Sequence, residues 1–159
     1  MNVENEYMEL LKSWCDGLIG LQFKEENNPR LDGGIFCPSC MMIHGRCHDA
    51  IYPMMVLADR LNEEKYLTAA KRLFQWSENL LCDDGSYYND AQNDWAGITV
   101  FSVIALTHAL EFHASLLSDQ EKELWETRLY TTAEWVFQTI TPQFDVNINY
   151  HAACAEAMA

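Results

Sequence analysis

Apolar residues near the start of the chain fall at Tyr7, Leu10, Leu11, Trp14, Leu18 and Leu21, the spacing that lines one side of an α-helix. It returns at Ile51, Met54, Met55, Ala58 and Leu61, predicting a helix over 49–61, and at Leu67, Ala70, Leu73, Phe74 and Leu81, predicting another over 64–81. So short a connection between them makes an antiparallel hairpin. From about Trp95 to Leu117 the chain is apolar nearly all round, which marks an inner helix with neighbours on both sides. Ser118 followed by Glu121 reads as a capping box opening a fifth helix through Trp125, Leu129, Ala133, Val136 and Ile140, which Pro142 stops. The stretch 149–159 is rich in helix formers and has neither cap nor stop signal, so it reads as a sixth helix cut before its end.

Between these helices lie two kinds of connection. The segment 27–47 holds Pro29, Gly33, Gly34, Pro38 and Gly45, too many breakers for a regular element and too much chain for an idle loop. Asp83-Asp84-Gly85-Ser86 is a turn, and 87–94 is a polar loop with room for a brief extended stretch. No strand of any length competes, so the expected class is all-α: one domain over 1–159, built of about six helices in hairpins joined alternately by short turns and long loops. Leu57-Ala58 followed by Tyr66, Ala70, Phe74 and Trp76 has a loose echo in Ile104-Ala105 followed by Trp125, Leu129 and Trp135. A repeated two-helix unit is how helical toroids are made.

Composition narrows the partners. With 159 residues, 49% of them hydrophobic, the chain can bury a sizeable core without disulfides. Ten Lys and Arg against 24 Asp and Glu give a net charge of -14, which opposes binding to phosphate backbones, so no nucleic-acid partner is expected. No membrane span is expected either, because Thr99, Ser102, Thr107, His108, Glu111 and His113 interrupt the apolar helix. The acidic start, Met1 to Glu9, lacks the features of a secretory signal. The six scattered cysteines suit reduced thiols. The expected location is the cytoplasm, or the periplasm if a signal has been removed.

Cys37-Pro38-Ser39-Cys40, Ile43-His44-Gly45-Arg46, Asp49-Ala50-Ile51-Tyr52-Pro53 and, further on, Asn93-Asp94-Trp95-Ala96-Gly97-Ile98-Thr99 together resemble the start of bacterial six-hairpin glycosidases. More narrowly they are similar to the uronic-acid-releasing enzymes of glycoside hydrolase family 154. The resemblance runs from about Gly33 to the end of the sequence. It implies an (α/α)6 toroid of twelve helices that binds sugar among the loops at one end of the ring. This chain would supply roughly the N-terminal half, leaving an apolar hairpin edge open to later helices or to self-association.

Several residue groups could carry chemistry. Cys37, Cys40, His44, Cys47 and His48 have the donors of a tetrahedral zinc site. The bland alternative, and the one adopted, is no cofactor and thiols packed as small hydrophobes. Arg46 suits a uronate carboxylate, because guanidinium forms two parallel hydrogen bonds to it, with His44 beside it; the alternative is an Arg46–Asp49 pair that caps the second helix. Asp49 and Asp94 precede the second and fourth helices and form the candidate acid–base pair of a glycosidase, with Trp95 as a stacking face for the sugar. The alternative makes Asp94 a helix cap and Trp95 core. Asn149, Tyr150 and His151 begin the sixth helix, and Tyr and His are the usual acid and base of polysaccharide lyases; Asn149 is otherwise a cap. His108 and His113 read as packed or surface residues.

The sequence therefore predicts a carbohydrate-active hydrolase that releases a uronic acid from an acidic oligosaccharide. One alternative is a lyase using Tyr150 and His151. Another, from a different class, is a zinc-stabilised helical interaction module without chemistry.

Overall fold

A computed structural model describes residues 3–143 and 147–159. It contains six α-helices: α1 (Val3–Gly20), α2 (Ile51–Leu61), α3 (Glu64–Ser77), α4 (Thr99–His113), α5 (Asp119–Thr139) and α6 (Ile148–Ala157). The mostly-α class is as the periodicity requires. The helices are shorter than predicted because their ends tighten into 3-10 turns, at Gly45–Ala50 before α2, Glu78–Leu80 after α3, and Ala96–Ile98 and Ala114–Leu116 on either side of α4. One element was not expected: a two-stranded antiparallel hairpin, β1 (Phe36–Cys37) with β2 (Met42–Ile43), inside the long first loop.

Side-chain pairs show how the helices run. Tyr52 on α2 meets His108 on α4, and Asp59 meets His113, so α2 and α4 point the same way. Phe101 meets Tyr150 and His108 meets Glu156, so α6 runs parallel to them. A second layer is also parallel within itself: Lys71 on α3 bonds Glu121 on α5, Phe74 stacks on Trp125 at 4.6 Å, and Arg128 Nε bonds Glu78 just beyond α3 at 2.8 Å. Helix α1 joins this layer, its Asp16 receiving Lys65 Nζ at 2.6 Å and Tyr66 Oη at 2.8 Å. Those two donors, together with Lys12, hold the Asp16 carboxyl well below the usual carboxylate range.

The core lies between the layers. Met54, Met55, Leu57, Leu73 and Leu106 are fully buried, and each such side chain stabilises the fold by about 1.5–3 kcal/mol relative to exposure. A smaller cluster of Val100, Val103, Val136, Ile140 and Ala153 joins α4, α5 and α6. By length and composition Ala96–Leu116 is apolar enough to cross a membrane, despite its polar interruptions. More than half of it is buried, as befits a central helix in contact with α2, α5 and α6. The far face of α1 leaves Val3, Tyr7, Leu10 and Trp14 exposed, and that of α5 leaves Tyr130 and Phe137 exposed.

The long first loop is ordered because its backbone finds partners on α3. The buried Gln22 amide donates to Gly33 O at 2.9 Å and Ala69 O at 3.0 Å. Trp76 Nε1 donates to Arg30 O, and Asn79 Nδ2 to Pro29 O. Gly33 has φ +89°, and a Cβ there would lie 2.0 Å from Arg72 O, so the position requires glycine.

Candidate functional site

Because α2, α4 and α6 are parallel, the loops that precede them meet at one end. The segment before α2 brings Cys37, His44, Arg46 and Cys47; the loop before α4 brings Asn89, Asn93 and Trp95; the first turn of α6 brings Tyr150. These residues line a cleft of about 440 Å³. Four expected site residues thus come together: His44, Arg46, Trp95 and Tyr150. Asn89 was missed, since its part of the polar loop has no motif to read, and Asn93 was noted only as the start of the 93–99 string and given no role.

The aromatic wall is built by mutual support. Trp95 Nε1 donates to Tyr150 Oη at 2.8 Å, and the rings meet edge to face with centroids 5.5 Å apart. The Trp95 ring crosses Gly97 so closely that a Cβ there would be 2.4 Å from it. Tyr150 also packs on Phe101, and the Arg46 guanidinium lies 3.4 Å over the Phe101 ring. Asp49 Oδ2 accepts from Arg46, so the expected pair exists, but it does not cap a helix. Asp49 sits inside the 3-10 turn, and the cap position of α2 is Ala50. Its other oxygen, Oδ1, is buried without a partner. Loss of water pushes the Asp49 carboxyl up to about 6, against the pull of Arg46.

His44 is held from both sides. Its Nδ1 lies 2.9 Å from Asp90 Oδ2 and its Nε2 lies 2.7 Å from Cys40 Sγ. Asp90 is buried and also accepts from Asn89 Nδ2 and from the backbone N–H of Gln92. The hairpin presents both thiols of the Cys37–Cys40 turn. The Cys40 thiol and then the backbone N–H groups of Cys40 and Ser39 draw the Cys37 thiol below its usual range, while the neighbouring Cys37 pushes Cys40 up. His48 lies elsewhere, buried against Phe74 and Tyr87 with neither ring nitrogen hydrogen-bonded. Burial pushes its pKa down to about 3.

The remaining candidates fall outside the cleft lining. Asp94 is exposed, and neither α4 nor the turn before it uses Asp94 as its cap. Asn149 is exposed on α6, whose cap position is Asn147, and His151 is partly buried one residue past Tyr150. Among the described residues, no carboxylate lines the cleft. A second hollow, of about 530 Å³, lies between α2 and the end of α4. His113, buried there and bonded to Asp59, is packed as expected.

Comparison with known proteins, rather than the shape of the cleft, gives the class: the chain matches a domain of a polysaccharide-degrading enzyme. More narrowly, the chain belongs to the ulvan lyase N-terminal domain family, whose model matches residues 11–159. A curated relative, a broad-specificity ulvan lyase of Formosa agariphila, is 39% identical over 152 residues, covering 94% of this chain and 24% of the relative. The chain therefore spans about a quarter of the length of the curated relative it matches. No solved structure matches.

These likenesses correct the sequence reading. The matching family and relative are lyases, which overturns the glycoside hydrolase assignment and the narrower resemblance to family 154. The acid–base roles given to Asp49 and Asp94 were tied to that hydrolytic reading; neither residue is among the described residues that line this cleft.

Proposed function

We propose that this chain is part of a polysaccharide lyase acting on an acidic, ulvan-type polysaccharide by β-elimination. One observation supports this most: Tyr150, Trp95, Arg46, Asn89 and Asn93 converge from three separate segments on one cleft. Family membership and the named relative support this reaction class and substrate.

In β-elimination a base removes the proton on the carbon beside the uronate carboxyl group, the bond to the leaving oxygen breaks, and a carbon–carbon double bond forms. The carboxylate must be neutralised so that the carbanion-like transition state is tolerated. Arg46 is suited to this, with the amides of Asn89 and Asn93 as further donors. Trp95 offers a face to a sugar ring. Tyr150, at the start of α6, is the proton-transfer group that lines the cleft, while His151 beside it falls outside the lining; His44 is already engaged by Asp90 and Cys40. Three parallel helices ending at the cleft suit half of a six-hairpin ring. The acidity of the chain as a whole makes a local cation such as Arg46 more necessary for an anionic substrate.

The test uses the longest natural form of the protein with ulvan, following the ultraviolet absorbance of the unsaturated product. Tyr150→Phe should lower turnover by about 100-fold or more, the usual weight of one positioned acid or base. Its thermal midpoint should change little, since the lost hydrogen bond is to the partly exposed Trp95. Products carrying added water and no double bond would refute elimination, and full activity in Tyr150→Phe would remove Tyr150 from the mechanism.

A further inference from the structure

We propose that Cys37, Cys40, His44 and Cys47 hold a structural zinc ion in the wall of the cleft. This goes beyond the lyase reading and does not depend on it. The ligand atoms of Cys37, Cys40 and His44 all lie within 4.8 Å of one another. A tetrahedral zinc with bonds of about 2.0–2.3 Å sets its ligands about 3.5 Å apart, so the three need only small side-chain rotations, and Cys40 is exposed and free to make one.

The backbone brings the two thiols of the loop to one place. The strand pairing of Phe36 with Ile43 and Cys37 with Met42 closes a tight turn across Cys37–Cys40. Within it the N–H groups of Ser39 and Cys40 are directed at Cys37 Sγ, and that of Met42 at Cys40 Sγ. Met41 takes the left-handed conformation, φ +57°, that lets the chain turn back into β2.

The histidine is equally prepared. Asp90 at Nδ1 fixes the tautomer with its proton there, which leaves the Nε2 lone pair facing the thiols. A buried carboxylate behind a histidine is the usual outer support of a zinc ligand. Cys47 lines the same cleft as Cys37 and His44, and its backbone N–H bonds His44 O at 3.1 Å; its thiol lies outside the group of three and completes the site as fourth ligand by turning toward it. His48, the other donor nearby in sequence, faces Phe74 and Tyr87. On binding, the three thiols lose their protons to solvent and no redox step is involved. The ion would tie the β1–β2 hairpin to the 3-10 turn that carries Arg46, and would keep His44 out of proton transfer.

The experiment is elemental analysis of the longest natural form of the protein, purified untagged, reduced and without chelator, followed by replacement of the metal with cobalt. The expected result is about one zinc per chain and a cobalt spectrum with thiolate charge-transfer bands and the visible bands of tetrahedral geometry. Chelation should lower the thermal midpoint and zinc should restore it. Asp90→Asn should weaken zinc binding by about 10- to 100-fold without abolishing it, and Cys40→Ala should abolish it. Failure to take up zinc under reducing conditions would overturn the proposal, as would a Cys37–Cys40 disulfide in the natural protein, seen as a mass two hydrogens lower. An unchanged cobalt spectrum in Cys47→Ala would overturn the fourth ligand.

Discussion

The two ends of the parallel helices are built on different principles. At one end α2 passes to α3 through Asn62, in the left-handed conformation at φ +54°, and Glu63. There too α4 passes to α5 through a 3-10 turn and the Ser118–Glu121 capping box. Backbone groups at that end are satisfied by their near neighbours in sequence. At the other end, long segments run from α1 to α2 and from α3 to α4. Their backbone groups are satisfied from afar, by Gln22, Trp76 and Asn79 for the first loop and by the Gly45 N–H to Asn89 O bond between the two loops. Long-range satisfaction needs polar and aromatic side chains in the loops, and these are the groups that gather at the cleft. The chemistry sits where local structure is weakest, supported by the rigid helices behind it.

The strongest way to break the cleft end while sparing the other is at Gly33. Gly33→Ala forces a Cβ against Arg72 O and a side chain into a positive φ. The expected cost is about 3 kcal/mol, from strain at a left-handed position added to a backbone clash. Denaturant unfolding measures it directly. Because this loop carries Cys37, His44 and Arg46, cleavage should fall with stability. A variant as stable as the parent would show that the loop is not anchored on α3 as described.

The cleft end should also be the acid-sensitive one. His48 is buried behind the cleft, and its pKa is pushed down to about 3 from an ordinary 6.5, by burial first and by the Arg128 charge second. The folded state therefore binds fewer protons than the unfolded state in this range. The stability held by neutral His48 is complete above pH 6.5 and is lost as pH falls toward 3. At pH 5 the loss is about 2 kcal/mol, from 1.36 kcal/mol per pH unit. His48→Leu removes the group, so its thermal midpoint should fall less than the parent's between pH 7 and pH 5. Parallel curves for the two proteins would show that His48 does not set the acid limit.

The same contrast explains what the sequence could be read for. The helices and the capping box were legible because they rest on local periodicity and on residues three or four apart, as in Ser118 with Glu121. The β1–β2 hairpin was not, because each strand is two residues long and is defined by a turn rather than by alternation. His44, Arg46, Trp95 and Tyr150 stood out as unusual side chains at helix starts, and the parallel helices bring them together. Asn89, Asn93 and Asp90 gave no such signal, since their place depends on the pairing of two loops distant in sequence. The reaction class was misread because the motifs at 37–53 and 93–99 suggested a hydrolase family, which cast Asp49 and Asp94 as its acid–base pair. In the fold one is shielded beside Arg46 and the other is exposed outside the cleft lining.

The smallest expected effect sharpens the comparison from the opposite end. Ser118 Oγ accepts from the Glu121 N–H at 3.3 Å, and Glu121 Oε2 accepts from the Ser118 N–H at 2.8 Å while its carboxylate also meets Lys71 on α3. Ser118→Ala removes the Ser118 arm of this box together with the Ser118 Oγ bond donated to Glu121 Oε2, and leaves the Glu121 contacts with the Ser118 N–H and Lys71 in place, so the expected cost is about 1 kcal/mol. That loss should appear as a small drop in thermal midpoint at every pH from 5 to 8, because no titrating group is removed. Turnover on ulvan should be unchanged, since the cap stands at the end of the helices away from the cleft. If Ser118→Ala reduced cleavage in proportion to Gly33→Ala, the two ends would be mechanically coupled through α4, and the separation of local folding from loop-borne chemistry would fail.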